Sequence, residues 1–286
     1  MRHLISLREQ SKKDLLEILT LAQRLKKERA AGKLKPYLAG KTLIMLFQKS
    51  STRTRLSFEA GMTELGGHAI YLDARSSQLS LADFKDEIRA IMRFGSVLMF
   101  RALKAADVEL AASFNMIPVI DACSEKYHPC QALGDILTMI EHTKGGLKNI
   151  KKIAWLGVEN NVSNTLRTAS EKLGIKVVSE LKDLQDAQFL HTDTWMDMEY
   201  FDANGKVKPE FQKEYKKRIA ANMPKQISAK LLAQYCPDAK IMHCMPCHVG
   251  YEISRDAIDH PNSIIFDQAE NRMHIQKAII LWLLQK

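Results

Sequence analysis

Two hydrophobic periodicities alternate along this chain. After Ser11, apolar residues recur at Leu15, Ile18, Leu19, Ala22 and Leu25. That is the spacing of a helix burying one stripe, and Ser11 is placed to cap its first turn. Short, nearly unbroken apolar runs come next and predict strands at 42–47, 68–72, 96–101 and 116–121, followed by a helix over 131–142. Lys151-Lys152-Ile153-Ala154-Trp155-Leu156-Gly157 opens a second series, with strands predicted near 174–178, 188–192, 240–242 and 263–266 and a closing helix at about 268–285. Continuous apolar strands alternating with amphipathic helices imply an α/β fold: two domains, each with a parallel sheet covered by helices on both faces. The Lys144-Gly145-Gly146 break is the best boundary. It predicts a first domain at 1–130 completed by the terminal helix 268–286, a second at 145–267, and an interdomain helix at 131–144.

Composition narrows the possibilities. The chain has 286 residues, 46% hydrophobic and 26% charged, which suits a globular protein of two domains or one large one. No apolar run is long enough to span a membrane. The start, Met1-Arg2-His3-Leu4-Ile5-Ser6-Leu7-Arg8-Glu9, turns polar too soon for a signal peptide, so a cytoplasmic location is expected. With 42 basic against 33 acidic residues the net charge is +9, which favours anionic partners. The basic residues are scattered and aromatics are only 7%, so nucleic acid is not expected and small phosphorylated or carboxylated molecules are. The charge-rich stretch from Lys206 to Arg218 reads as a solvated helix face.

Polar clusters fall where the predicted strands end, which is where ligands sit in such folds. Ser51-Thr52-Arg53-Thr54-Arg55 follows the first strand. A helix start there offers free backbone N–H groups, three hydroxyls add donors, and two arginine forks match phosphate oxygens. Capping alone needs one hydroxyl. Arg101 ends the third strand, His128-Pro129-Cys130-Gln131 opens a helix, Asn160-Asn161 lies in the turn after Gly157, Asp193-Thr194-Trp195 ends the strand near 190, and His243-Cys244-Met245-Pro246 follows Ile241-Met242.

These motifs, with Glu270-Asn271-Arg272, stand in the order and rough spacing of the aspartate/ornithine carbamoyltransferase family, which the chain resembles from about residue 3 to 285. The His-Cys-x-Pro motif is similar to that of its ornithine branch. The resemblance implies transfer of a carbamoyl group from carbamoyl phosphate to the side-chain amine of L-ornithine, giving L-citrulline and phosphate in arginine biosynthesis. It implies that Ser51, Thr52, Arg53 and Thr54 hold the phosphate, with Arg101, His128 and Gln131 at the carbamoyl end, and Cys244, Met245 and Arg272 also against carbamoyl phosphate. Arg101, His128, Cys244 and Arg272 would be catalytic. Asn161, Asp193, Asp197, Met198 and Cys244 would hold ornithine, Asn161 on its carboxylate and Asp193 on its α-ammonium. A cis bond at Met245–Pro246, domain closure over the substrates, and a homotrimer or multiple of trimers with Gln78 lent by a neighbour are also implied. No metal or organic cofactor is. The attacking amine must be neutral, so activity is expected to rise with pH.

Other readings stay open. Five cysteines, an odd number without a signal peptide, argue against a disulfide framework. Cys244-Met245-Pro246-Cys247-His248 matches the haem c attachment pattern, and its Cys-x-x-Cys flanked by His matches a zinc knuckle or a redox pair, but no export signal and no second ligand pair accompany it. The chain also departs from the family. Asp197 and Glu199 stand where the ornithine branch carries Ser and Gly, with Met198 kept, and two carboxylates there suit another amine, such as putrescine, lysine or a modified ornithine. The loop Ser77 to Asp83 lacks the usual glycine and basic residue and is one residue short. About ten residues separate the strands near 178 and 190, where the family has a further strand and helix. A non-catalytic carbamoyl-phosphate-binding protein is the third possibility.

Overall fold

The computed structural model describes residues 1–196, 200–202 and 206–285. In chain order the elements are α1 (Lys12–Ala30), β1 (Thr42–Phe47), α2 (Thr52–Glu64), β2 (His68–Asp73), α3 (Phe84–Ile91), β3 (Val97–Arg101), α4 (Ala105–Ser113), β4 (Val119–Asp121), α5 (Pro129–Glu141), β5 (Lys152–Trp155), α6 (Asn161–Leu173), β6 (Lys176–Val178), β7 (Phe189–Thr192), α7 (Gln212–Asn222), α8 (Ala229–Tyr235), β8 (Lys240–His243), α9 (Arg255–Ile258) and α10 (Ile265–Leu284). They form two compact units. One comprises residues 1–138, 160–173 and 270–286, the other 139–159 and 174–269.

The first unit holds a parallel sheet ordered β2-β1-β3-β4. β1 buries five of its six residues, as a central strand covered on both faces must. Its core packs Ile44, Leu46, Leu98 and Phe100 against Ile88 of α3 and Val108 and Ala111 of α4. Burying each large apolar side chain contributes roughly 1.5–3 kcal/mol. From β1 the chain steps outward to β2, then crosses back to β3. Folds of this kind bind ligands at such a reversal, outside the C-terminal ends of the strands, and here Phe47 at the end of β1 lies in register with Arg101 at the end of β3. Gln48 pins the two ends together. Its backbone N–H donates to the Arg101 carbonyl at 2.9 Å, and its side chain accepts from Leu103 N–H at 2.7 Å. Helix α1 starts with a complete capping box between Ser11 and Asp14, and the five apolar positions read from the period are all buried.

The second unit repeats the plan, with a parallel sheet ordered β6-β5-β7-β8 and its switch point between β5 and β7. Its core gathers Leu156, Leu190, Ile227, Leu232, Ile241 and Ile253. The turn after β5 requires glycine. Gly157 has φ +126°, and a Cβ there would lie 2.4 Å from Trp195 Nε1. β6 passes to β7 through the short helical turn Leu181–Asp183, with no further strand or helix of greater length between them, as the spacing predicts.

The predicted strand at 263–266 is not formed. Ser263 makes one bridge to Ile241, and α10 begins at Ile265, with Asp267 favouring the positive end of its first turn. A three-residue apolar run, Ile264-Ile265-Phe266, cannot distinguish a strand from the start of a buried helix. The strand expected from 174 starts at Lys176, because Gly174, at φ +77°, ends α6 in the left-handed conformation. α7 buries none of its residues, as a solvated helix does. Among the described residues, no helix is long and apolar enough to cross a membrane.

Candidate active site

The first cluster sits at the head of α2. Ser51 is the N-cap, its hydroxyl accepting from Thr54 N–H at 3.4 Å and donating to Thr54 Oγ1 at 3.0 Å. No acidic residue occupies the first turn, so the positive helix end is left unneutralised. Thr52 and Arg53 follow on that turn, and Arg53 is half-buried. Arg55 is turned elsewhere. It donates to Glu59 at 3.1 Å and stacks 4.0 Å from the Tyr71 ring, so it is not one of the phosphate forks expected from its place in the motif.

Arg272, more than two hundred residues away in the chain, joins this cluster. Its Nη1 donates to Gln131 Oε1 at 2.5 Å and its Nη2 to Thr54 Oγ1 at 3.3 Å. Gln131 in turn donates to Asp135 Oδ1 at 2.8 Å, a partner one helical turn along α5. His128 is held by its backbone N–H on Thr165 Oγ1 at 3.1 Å. Burial first, then Arg272 and Arg101, holds the His128 imidazole well below its ordinary pKa, so it is neutral. His128 Nδ1, Arg101 Nε and Arg272 Nε are all buried without a hydrogen-bond partner. Three orphaned polar nitrogens in one cluster are rare in a finished interior and common where a ligand completes the site.

Two buried groups adjoin this cluster. Asp121, at the end of β4, is fully buried and accepts from Ser124 Oγ at 2.6 Å, while its Oδ1 has no partner. Burial pushes its carboxyl up to about 7. Burial likewise pushes the Cys130 thiol up to about 12, which makes it inert. Gln78 is exposed on the short turn Gln78–Ser80. In the Asn160-Asn161 pair, Asn160 Oδ1 caps α6 by accepting from Val162 N–H and Ser163 N–H, and Asn161 Nδ2 donates to the Ser124 carbonyl at 2.6 Å. Asn161 therefore belongs to the first unit.

In the second unit, Asp193, His243 and Cys244 bring one donor atom each within 4.8 Å of one another. That set could hold a cation in principle. His243 is poorly suited to it, because both ring nitrogens are engaged: Nδ1 accepts from Met245 N–H at 2.8 Å and Nε2 faces Glu252 Oε1 at 3.3 Å. Cys244 and Met245 are half-buried, and the Met245–Pro246 peptide is cis, as the resemblance implied. Trp195 is buried in an aromatic cluster with Met196 and Tyr200. Asp197, Met198 and Glu199 lie outside the described residues.

Comparison with known proteins decides the family. Residues 2–141 match the carbamoyl-phosphate-binding domain of the aspartate/ornithine carbamoyltransferases, and residues 178–283 match their aspartate/ornithine-binding domain. The chain belongs to the aspartate/ornithine carbamoyltransferase family. Among the relatives of this carbamoyltransferase, the ornithine carbamoyltransferase of Archaeoglobus fulgidus is 37% identical over 315 residues, covering 100% of this chain and 98% of the relative. That of Chromobacterium violaceum is 37% identical over 304 residues, covering 99% and 97%. The solved ornithine carbamoyltransferase of Pyrococcus furiosus superposes with a TM-score of 0.88 at 34% identity, covering 99% of this chain and 97% of that one. The Thermus thermophilus structure gives 0.86 at 32%, covering 99% of both chains. The first alignment is longer than the 286 residues of this chain, so the Archaeoglobus protein carries segments that this carbamoyltransferase lacks.

Proposed function

We propose that this carbamoyltransferase carbamoylates the side-chain amine of L-ornithine, giving L-citrulline and phosphate in a cytoplasmic route to arginine. The observation that carries the chemistry is the seating of Arg272 on Gln131 and Thr54 beside a neutral His128. In this reading Ser51, Thr52, Arg53 and Thr54 take the phosphate of carbamoyl phosphate on the α2 head. Arg101, His128, Gln131 and Arg272 face the carbonyl oxygen, with Cys244 and Met245 against the same group. Attack by the neutral amine drives negative charge onto that oxygen and then onto the leaving phosphate. Arg272 stays cationic even when buried. A neutral imidazole N–H donates to the oxyanion without giving up a formal charge. Each such donor is worth about 3–4 kcal/mol in the transition state.

Ornithine takes Asp193 for its α-ammonium, Asn161 for its carboxylate, and Asp197, Met198 and Cys244 around its side chain. The first compact unit serves carbamoyl phosphate and also supplies Asn161 to the amino acid, the second supplies the remaining amino-acid groups, and exposed Gln78 completes a neighbour's site in a homotrimer or a multiple of it. The names of the relatives support ornithine, while Asp197 and Glu199 favour a second reading in which another amine is used. Phosphate release from carbamoyl phosphate, with ornithine, putrescine, lysine, N-acetylornithine and aspartate offered in parallel, separates them. Ornithine alone should support turnover, with a rate rising with pH as its amine loses a proton. Turnover with another amine instead would overturn the assignment.

A further inference from the structure

Cys247 and His248 follow the Cys244 loop and have no part in the reaction as proposed. His248 nevertheless sits at the centre of a hydrogen-bonded chain that runs under both amino-acid loops of the second unit. The chain starts at Glu252, which is fully buried. Its Oε1 accepts from the backbone N–H of His248 and faces His243 Nε2 at 3.3 Å. Because His243 Nδ1 accepts from Met245 N–H, the imidazole proton must sit on Nε2 and point at Glu252. One carboxylate oxygen thus grips the segment at His243 and at His248, on either side of Cys244 and Met245–Pro246.

From His248 the chain continues to the other loop. His248 Nδ1 lies 2.9 Å from Thr194 Oγ1, and that hydroxyl lies 2.9 Å from the Met196 carbonyl, to which it can give its single proton. The imidazole Nδ1–H then donates to Thr194. The ring is stacked on Phe201, with centroids 5.1 Å apart and planes at 24°. Thr194 N–H donates to Asp193 Oδ1 at 2.8 Å, so the linkage ends on the carboxylate assigned to the substrate ammonium. Neither Glu252 nor His248 touches the reacting atoms. What they hold fixed is the separation of Asp193 from Cys244.

We propose that Glu252 and His248 form a strap that sets the spacing of the Asp193 and Cys244 loops, and that both are positioning residues for the amine substrate. The proposal rests on the assignment of these loops to the amine. Five proteins test it: wild type, His248→Ala, Glu252→Ala, Glu252→Gln and the double variant His248→Ala/Glu252→Ala, assayed with carbamoyl phosphate and ornithine. His248→Ala should raise KM for ornithine about tenfold and leave KM for carbamoyl phosphate within about twofold, since a misplacement of an ångström is enough. Glu252→Ala should do the same, and the double variant should be no worse than either single one. Glu252→Gln keeps an acceptor oxygen for His248 N–H and should recover most of the loss. An unchanged ornithine KM in His248→Ala, or equal rises in both KM values, overturns the strap. Alkylation of Cys244 by iodoacetamide, followed by peptide mass mapping, gives a readout apart from turnover. It should quicken about fivefold in His248→Ala as the loop loosens, and an unchanged rate overturns the strap. Failure of the wild type to carbamoylate ornithine would instead overturn the substrate assignment, and the alkylation rates would still decide the strap.

Discussion

The two sheets share one strand order and one switch point, but their polar groups are fixed in different ways. In the first unit the groups hold one another directly: Arg272 rests on Gln131 and Thr54, and Gln131 on Asp135. In the second unit the Asp193 and Cys244 loops are held from below, through Glu252, His248 and Thr194. Phosphate is a fixed shape with fixed charge, and a rigid cradle of cations and N–H groups suits it. An amino acid must be gripped at both ends, so the distance between loops matters more than any single contact.

Arg53 is where the two ways of fixing polar groups should differ most. If the α2 head is the anion cradle, Arg53→Ala should lower kcat/KM about 10³-fold, equivalent to about 4 kcal/mol, and abolish the protection that inorganic phosphate gives against thermal unfolding. Unchanged turnover would remove the cradle from the mechanism. Gly157→Ala addresses the other side. A Cβ 2.4 Å from Trp195 Nε1, at φ +126°, should cost about 2–3 kcal/mol, and Tm should fall by about 5 °C or more. Inorganic phosphate should bind the variant as it does the wild type. Weakened binding would show that the two regions are not independent.

Asp121→Asn has the smallest expected effect. The folded protein holds the Asp121 proton up to about pH 7, against an ordinary value of 3.8. This group's contribution to stability is therefore complete below about pH 4 and is lost as the pH rises through 7. The amide does not titrate, so the variant should lose part of that decline and gain about 1 kcal/mol relative to wild type at pH 8, or about 2 °C in Tm. Parallel Tm–pH curves for the two proteins would contradict this.

What was legible in the sequence follows the same division. Local rules found α1, with its cap and its stripe, and most of the strands, because each depends on neighbours a few residues apart. The Ser51 cap at the head of α2 was legible because a hydroxyl at a strand–helix junction is a helix-start signal, and the hydroxyls and arginines around it are what motivate the proposed anion cradle. Arg55 was misjudged because its i,i+4 partner Glu59 and the Tyr71 ring compete for it. Ser263–Phe266 reads as a strand because Ile264, Ile265 and Phe266 suit either element, whereas Ser263 makes a bridge and Ile265 starts α10. Asp121, Asp135 and Glu252 went unnoticed. Their roles come from burial beside groups brought in by the tertiary fold, and only the four-residue spacing of Asp135 from Gln131 offered a hint.

One feature at the edge of the second sheet bears on how such a chain can vary in length. β6 is the outermost strand, and the passage from Val178 to Phe189 is a single short turn. The register of β5, β7 and β8, which fixes Gly157, Asp193 and Cys244, does not depend on what is spliced into that turn. The margin of the sheet can gain or lose a whole supersecondary piece while the ends of β5, β7 and β8 keep their places, making it the natural port for inserting a tag, a reporter or a second domain.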